Sequence, residues 1–296
     1  MQLYYKRSLK LALAEKRLWP AGLLAALALS EAWWVVFGWG PEFLGERWRS
    51  ALAGRLGDAW ALVAFAAAAV AAFAVTKALG YMAEMVLVRQ VADGEEGPVP
   101  DFTAAFSASR GRYLSLAAAL LPWDILRTGL IYLPAAGIAL WERWDPHLDH
   151  VFLYIFATLL WFALLAAAAF LFGVTATLAG RLALLHGQGA RAAWGGGWKL
   201  LQSQTAGCIA VWLQALAADI AFVVLAWPLS ALVPWAVGLA VRSIGPAPLR
   251  GLMYLGAYGL FAAALIAGQA LVQCYKSSLW TFTYIELARG ENHRIS

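Results

Sequence analysis

The chain predicts an all-α, polytopic membrane protein: six transmembrane helices in three repeated helix pairs, with amphipathic elbow helices on the cytoplasmic side. Three observations predict it. Apolar residues make up 62% of the chain and charged ones only 13%, against roughly 25% charged in soluble domains. Six stretches, at about 18–39, 60–88, 114–141, 151–185, 206–235 and 252–287, are apolar and long enough to cross a hydrocarbon layer of roughly 30 Å. The third observation is a recurring sentence, described next. The spans form a single transmembrane domain, 1–296, because no soluble segment between them is long enough to fold alone.

The recurring sentence is clearest at Leu182–Ala206, LALLHGQGARAAWGGGWKLLQSQTA. An apolar helix ends, a glycine turns the chain, an amphipathic segment lies flat and the next span begins. Val86–Leu116 repeats it, Tyr4–Leu24 carries its second half and Thr281–Ser296 its first. Aligning the turn glycines Gly94, Gly187 and Gly290 superimposes the helix ends; aligning Arg17 with Arg112, and Phe106 with Trp194, superimposes the flat helices. Three units result, each a flat helix, a span out and a longer span back. Repeats of this kind place binding sites at the repeat interface.

The net charge of +5 is explained by topology. With the N-terminus cytoplasmic, Arg47, Arg49, Arg55, Arg143, Arg242 and Arg250 lie outside and Arg127 lies within a span; the other fifteen of the 22 Lys and Arg fall at cytoplasmic ends and turns. This is the positive-inside asymmetry, and it puts both termini in the cytoplasm of a cytoplasmic (inner) membrane. The basic excess therefore reads as contact with anionic lipid, and nucleic acid is not an expected partner. Cys208 and Cys274 sit in apolar helices, form no CxxC pattern and read as packing residues.

Taken in order, residues 3–17 form a surface helix with Lys6, Lys10 and Arg17 along one stripe and Tyr4, Leu11 and Leu18 on another. The basic start before an apolar run resembles a signal peptide, but the run continues to Trp33 and Trp34, so it reads as an uncleaved first span. Leu44, Trp48, Leu52 and Arg55 suggest a helix on the outer leaflet, within an aromatic belt of Trp33, Trp34, Trp39, Trp48 and Trp60. Span two carries Lys77, Tyr81 and Glu84 on one face and ends in the polar turn 93–101, with Asp101 as N-cap of the helix FTAAFSASRGRY. Span three holds Asp124 and Arg127 one turn apart; span four has no charge before Arg181; span five has Asp219, Pro228 and Pro234; span six ends in Lys276, at the cytoplasmic side, and the YIELARGE tail.

The elbows, the opening RLWPAGLLAAL and the ending SSLWTFTYIELARGE resemble a loose group of uncharacterised six-helix prokaryotic membrane proteins related to the membrane domain fused to some glycerophosphodiester phosphodiesterases. The resemblance covers nearly the whole chain and implies fold and topology. It implies no catalytic residue, because the soluble phosphodiesterase barrel is absent here.

Ionisable groups inside a membrane are functional candidates. Glu31, Asp124 and Asp219 lie at similar depth, about 18 Å from the cytoplasmic start of their spans at 1.5 Å per residue. Around a pseudo-threefold axis they would bind a cation or relay protons. Otherwise Glu31 snorkels to the outer interface, Arg127 neutralises Asp124, and Asp219 is protonated or bonded to a neighbour. Lys77 and Glu84 form a polar stripe. Lys6, Lys10, Arg17, Arg112, Arg191 and Lys199 are the expected lipid-headgroup contacts. Gln214, Gln269 and Gln273 suit interhelical hydrogen bonds or a polar pathway. Gly195-Gly196-Gly197 lacks a preceding strand and a GK[ST] ending, which favours close helix packing over a phosphate loop. His147 and His150 with Asp145 and Asp149 read as a solvated loop before a metal site, and no cofactor is expected.

The leading expectation is a non-enzymatic accessory or scaffolding subunit, with membrane lipids and other membrane subunits, or a second copy of itself, as partners. The alternatives are a transporter or channel for a lipid-like or small solute using the membrane acids, and an intramembrane hydrolase built on Asp124 and Asp219.

Overall fold

A computed structural model describes residues 2–29, 59–144, 151–242 and 247–295. The described residues are helical throughout, joined by short turns. The expected outer-leaflet helix, Glu31, the tryptophan belt from Trp33 to Trp48, and the Asp145–His150 loop lie outside them.

The helices are α1 (Gln2–Ala14), α2 (Trp19–Leu29), α3 (Ala59–Glu96), α4 (Phe102–Ser109), α5 (Tyr113–Trp144), α6 (Val151–Ala168), α7 (Val174–His186), α8 (Ala190–Ser203), α9 (Thr205–Arg242) and α10 (Ala247–Ile295). Among the described residues, four segments are long and apolar enough to cross a membrane: Val70–Glu96, Ile155–His186, Thr205–Leu229 and Leu249–Arg289. Pro228 and Pro234 stay within α9, as membrane helices allow when local adjustments satisfy the freed carbonyls. Span four is not one regular helix. A π turn, Ala169–Gly173, separates α6 from α7, and the Thr175 and Thr177 hydroxyls donate to the carbonyls of Leu171 and Gly173.

Two compact units divide the chain. One comprises Ala108–Gln214 with Trp280–Ser296 and Met1; the other comprises Gln2–Ser107 with Ala215–Leu279.

In the unit centred on Ala108–Gln214, α8 is amphipathic and buries Ala193, Gly197, Leu200 and Leu201. Gly197 sets its approach to α7, since a Cβ there would stand 2.8 Å from the Thr175 carbonyl oxygen and 3.0 Å from the Ala179 nitrogen. Helix α5 packs on α7 through Leu116 and Leu120 at Gly180, and on the π turn through Trp123 at Gly173. Trp194 Nε1 donates to the Ala119 carbonyl, tying α8 to α5. Gly187, with φ of 68°, ends α7 in the left-handed conformation that favours glycine. Arg112 Nη1 donates to the last-turn carbonyls of Leu184 and Leu185, which a helix C-terminus otherwise leaves unsatisfied.

In the other unit, Gln90 is fully buried between α2 and the turn after α3. Its Nε2 donates to the Arg17 carbonyl at 3.0 Å and the Pro100 carbonyl at 2.9 Å. Arg17 Nη1 donates to the Val99 carbonyl at 2.7 Å. Gly22 faces α10 so closely that a Cβ would overlap Cys274 Sγ. Both cysteines are buried and free.

Three local expectations change. The first helix stops at Ala14, because Glu15 is extended and its carboxylate accepts from Arg17 N to start a 3-10 turn, Lys16–Leu18. The helix from Asp101 likewise ends at Ser109 and enters a 3-10 turn, Arg110–Arg112. Gly94 and Gly290 are helical and do not turn the chain; Gly187 is the glycine with positive φ among the described residues. Gly94 serves close packing instead, with Val99 Cγ2 2.8 Å from where its Cβ would be. Helix α3 runs on past it, supported by the Arg89–Asp93 pair one turn apart, and stops before Gly97-Pro98, where proline cannot continue a helix.

A candidate polar site within the membrane

Helices α3, α9 and α10 place four polar side chains in one neighbourhood of the second unit. Lys276 Nζ on α10 donates to both carboxylate oxygens of Asp219 on α9, at 3.0 and 2.7 Å. The next residue, Ser277, donates through Oγ to Glu84 Oε1 on α3 at 3.3 Å. Adjacent positions on α10 thus join Asp219 and the Lys77–Glu84 stripe, two features that are far apart in sequence. Lys77 lies seven residues before Glu84 on α3, and its Nζ stands 5.6 Å from the Phe73 ring centroid. Gln269, seven residues before Lys276 on α10, is buried, and its Oε1 has no hydrogen-bond partner among the described residues.

The setting of the ion pair matters as much as its geometry. The Lys276 and Asp219 side chains remain 26% and 38% exposed. Around Asp219 on α9, Leu216, Ile220 and Val223 are exposed and apolar. A bonded carboxylate and ammonium cancel in net charge, but among apolar surroundings any outer hydrogen-bonding capacity left unmet carries a cost. Such a pair can hold a polar group brought to it.

Asp124 and Arg127 belong to the other unit. Asp124 is buried on α5 and Arg127 half-buried one turn on, and Trp123 beside them packs on the π-turn glycine, Gly173. Arg181 is buried on α7 and donates through Nη1 to the Thr177 carbonyl at 3.2 Å. Asp124 and Asp219, considered as a hydrolytic dyad, thus fall in different units, and Glu31 lies outside the described residues. Among the described residues, no group of three His, Cys, Asp or Glu side chains suits a metal ion. Gly195, Gly196 and Gly197 are helical.

Of the six expected headgroup contacts, Lys6, Lys10, Arg191 and Lys199 are exposed. Arg17 and Arg112 spend part of their guanidinium on carbonyls of the turn after α3 and of the last turn of α7. Sequence reasoning assigned Lys276 to a cytoplasmic end and passed over Ser277. Their signal was available: both lie within a long apolar helix, where a lysine needs a partner.

Four long, apolar helices among the described residues define a multi-pass helical membrane protein. No protein-family model, curated protein or solved structure matches the chain.

Proposed function

We propose that the chain is a non-enzymatic accessory or scaffolding subunit of a cytoplasmic-membrane complex. Its six spans form three helix pairs with both termini cytoplasmic, in kinship with the six-helix prokaryotic proteins it resembles. The concentration of Lys and Arg at the proposed cytoplasmic turns supports the orientation. The repeat is supported by two elbows of like construction. In each, a surface helix runs into a 3-10 turn and a span, and an arginine of that turn, Arg17 or Arg112, bonds a carbonyl near the end of the next returning helix.

The observation that carries the subunit reading is the partly exposed Asp219–Lys276 pair on an otherwise apolar stripe. Lipid tails offer it no hydrogen bonds, whereas a partner helix with polar side chains does. The test is purification from the native membrane in mild detergent, followed by mass spectrometry of co-migrating proteins. A stoichiometric partner that is lost from an Asp219→Leu/Lys276→Leu variant supports the reading. A lone protein, unchanged by those substitutions, overturns it.

A second reading, transport of a small or lipid-like solute, draws on the convergence of α3, α9 and α10 and on Gln269 Oε1, which has no hydrogen-bond partner among the described residues. It predicts solute uptake into vesicles holding the purified protein alone, abolished by Asp219→Asn.

A further inference from the structure

Helix α1 presents three distinct faces. Ser8 and Ala12 point inward and are buried, with Tyr4 and Leu11 half-buried beside them. Turned from these, Tyr5, Leu9 and Leu13 recur every fourth residue and are 37%, 46% and 55% exposed, a continuous apolar stripe at helical spacing. The third face is basic. Lys6 and Lys10 follow the apolar stripe by one residue each and are exposed, and Lys16, in the 3-10 turn after the helix, is exposed as well.

The helix is held against rotation. Trp19 Nε1 donates to the Ala12 carbonyl at 3.1 Å, and Arg7 Nη1 donates to Glu95 Oε1 of α3 at 3.2 Å. The second bond occupies the arginine of the basic face and leaves the lysines outward. Both outer faces therefore have fixed directions.

We propose that α1 is an anionic-phospholipid binding surface, with Tyr5, Leu9 and Leu13 at the acyl boundary and Lys6, Lys10 and Lys16 at the headgroup phosphates. Apolar burial alone would not distinguish headgroups; three outward lysines favour a net negative one. The inference needs only the membrane location, and it stands whether or not a protein covers Asp219.

The test places a bimane label on Ala14→Cys, an exposed α1 position, in the full chain; the native cysteines are buried and free. The protein is reconstituted into phosphatidylcholine vesicles holding doxyl-labelled phosphatidylglycerol or, at the same mole fraction, doxyl-labelled phosphatidylcholine. Phosphatidylglycerol is expected to quench several-fold more strongly, and salt to lower the ratio. Each Lys→Gln substitution among the three lysines should remove part of that preference, because each lysine contributes its own attraction to the anionic headgroups. The triple variant should bring the ratio near unity. Equal quenching by both lipids, or a ratio that survives the triple variant, overturns the proposal. The exposed positions guard against misfolding, and the salt titration tests the unsubstituted lysines independently.

Discussion

Lys276 Nζ stands 3.0 and 2.7 Å from the two carboxylate oxygens of Asp219, two residues 57 positions apart in sequence. Because Ser277 next door engages Glu84, this short piece of α10 fastens both α9 and α3. The consequences of breaking the pair differ from those of removing it.

Asp219→Leu leaves the Lys276 ammonium without its carboxylate in an apolar setting, and Lys276→Leu does the converse. Each is expected to destabilise the protein by about 2 kcal/mol. Replacing both with leucine should recover much of that loss, because two desolvated charges disappear together. Thermal unfolding of the four proteins in one detergent checks this as a double-mutant cycle.

Gly197→Ala should lower the unfolding temperature. Its Cβ would meet backbone atoms of Thr175 and Ala179, which cannot swing aside, and overpacking of this kind costs about 1–3 kcal/mol. Gly195→Ala should be neutral or stabilising by up to about 1 kcal/mol, since nothing lies within 4 Å of its Cβ and alanine is the better helix former. Equal melting of the two variants would contradict the packing of α8 on α7.

At the α7–α8 elbow, Gly187→Ala forces a Cβ into a backbone with φ of 68°, at a cost of about 1–2 kcal/mol. Arg112→Met removes the donor to Leu184 and Leu185. Both variants are expected to speed limited proteolysis between Leu184 and Ala190 while leaving cleavage at other turns unchanged.

Gln90→Leu deletes a fully buried donor to the Arg17 and Pro100 carbonyls and should destabilise by about 1–3 kcal/mol. Arg17→Met, which loses its bond to Val99 at a partly exposed site, should cost less. Hydrogen exchange of residues 97–101 reads both.

Membrane character and the elbow between α7 and α8 were legible because they rest on local rules: long apolar runs, amphipathic spacing, and a glycine after the last helical turn. Gly94 and Gly290 misled because each sits in a short charged segment, ADGEE or ARGEN, that reads like a turn. The stop at Gly97-Pro98 lay three residues past the expected one, and the ion pair within α3 lets the helix run through Gly94. The π turn at Ala169–Gly173 left no mark in composition. Asp219 stood out as an acid in an apolar span, but its partner did not, since pairing across 57 residues depends on the register of α9 against α10. Periodicity within one helix cannot supply that register.

The subunit reading is tested most directly by photo-crosslinking. A benzophenone amino acid placed at Ile220, exposed on α9 one residue past Asp219, is irradiated in the native membrane. The account predicts a discrete protein adduct that disappears when Asp219 and Lys276 are both leucine. Adducts to lipid alone, with or without those substitutions, would contradict it.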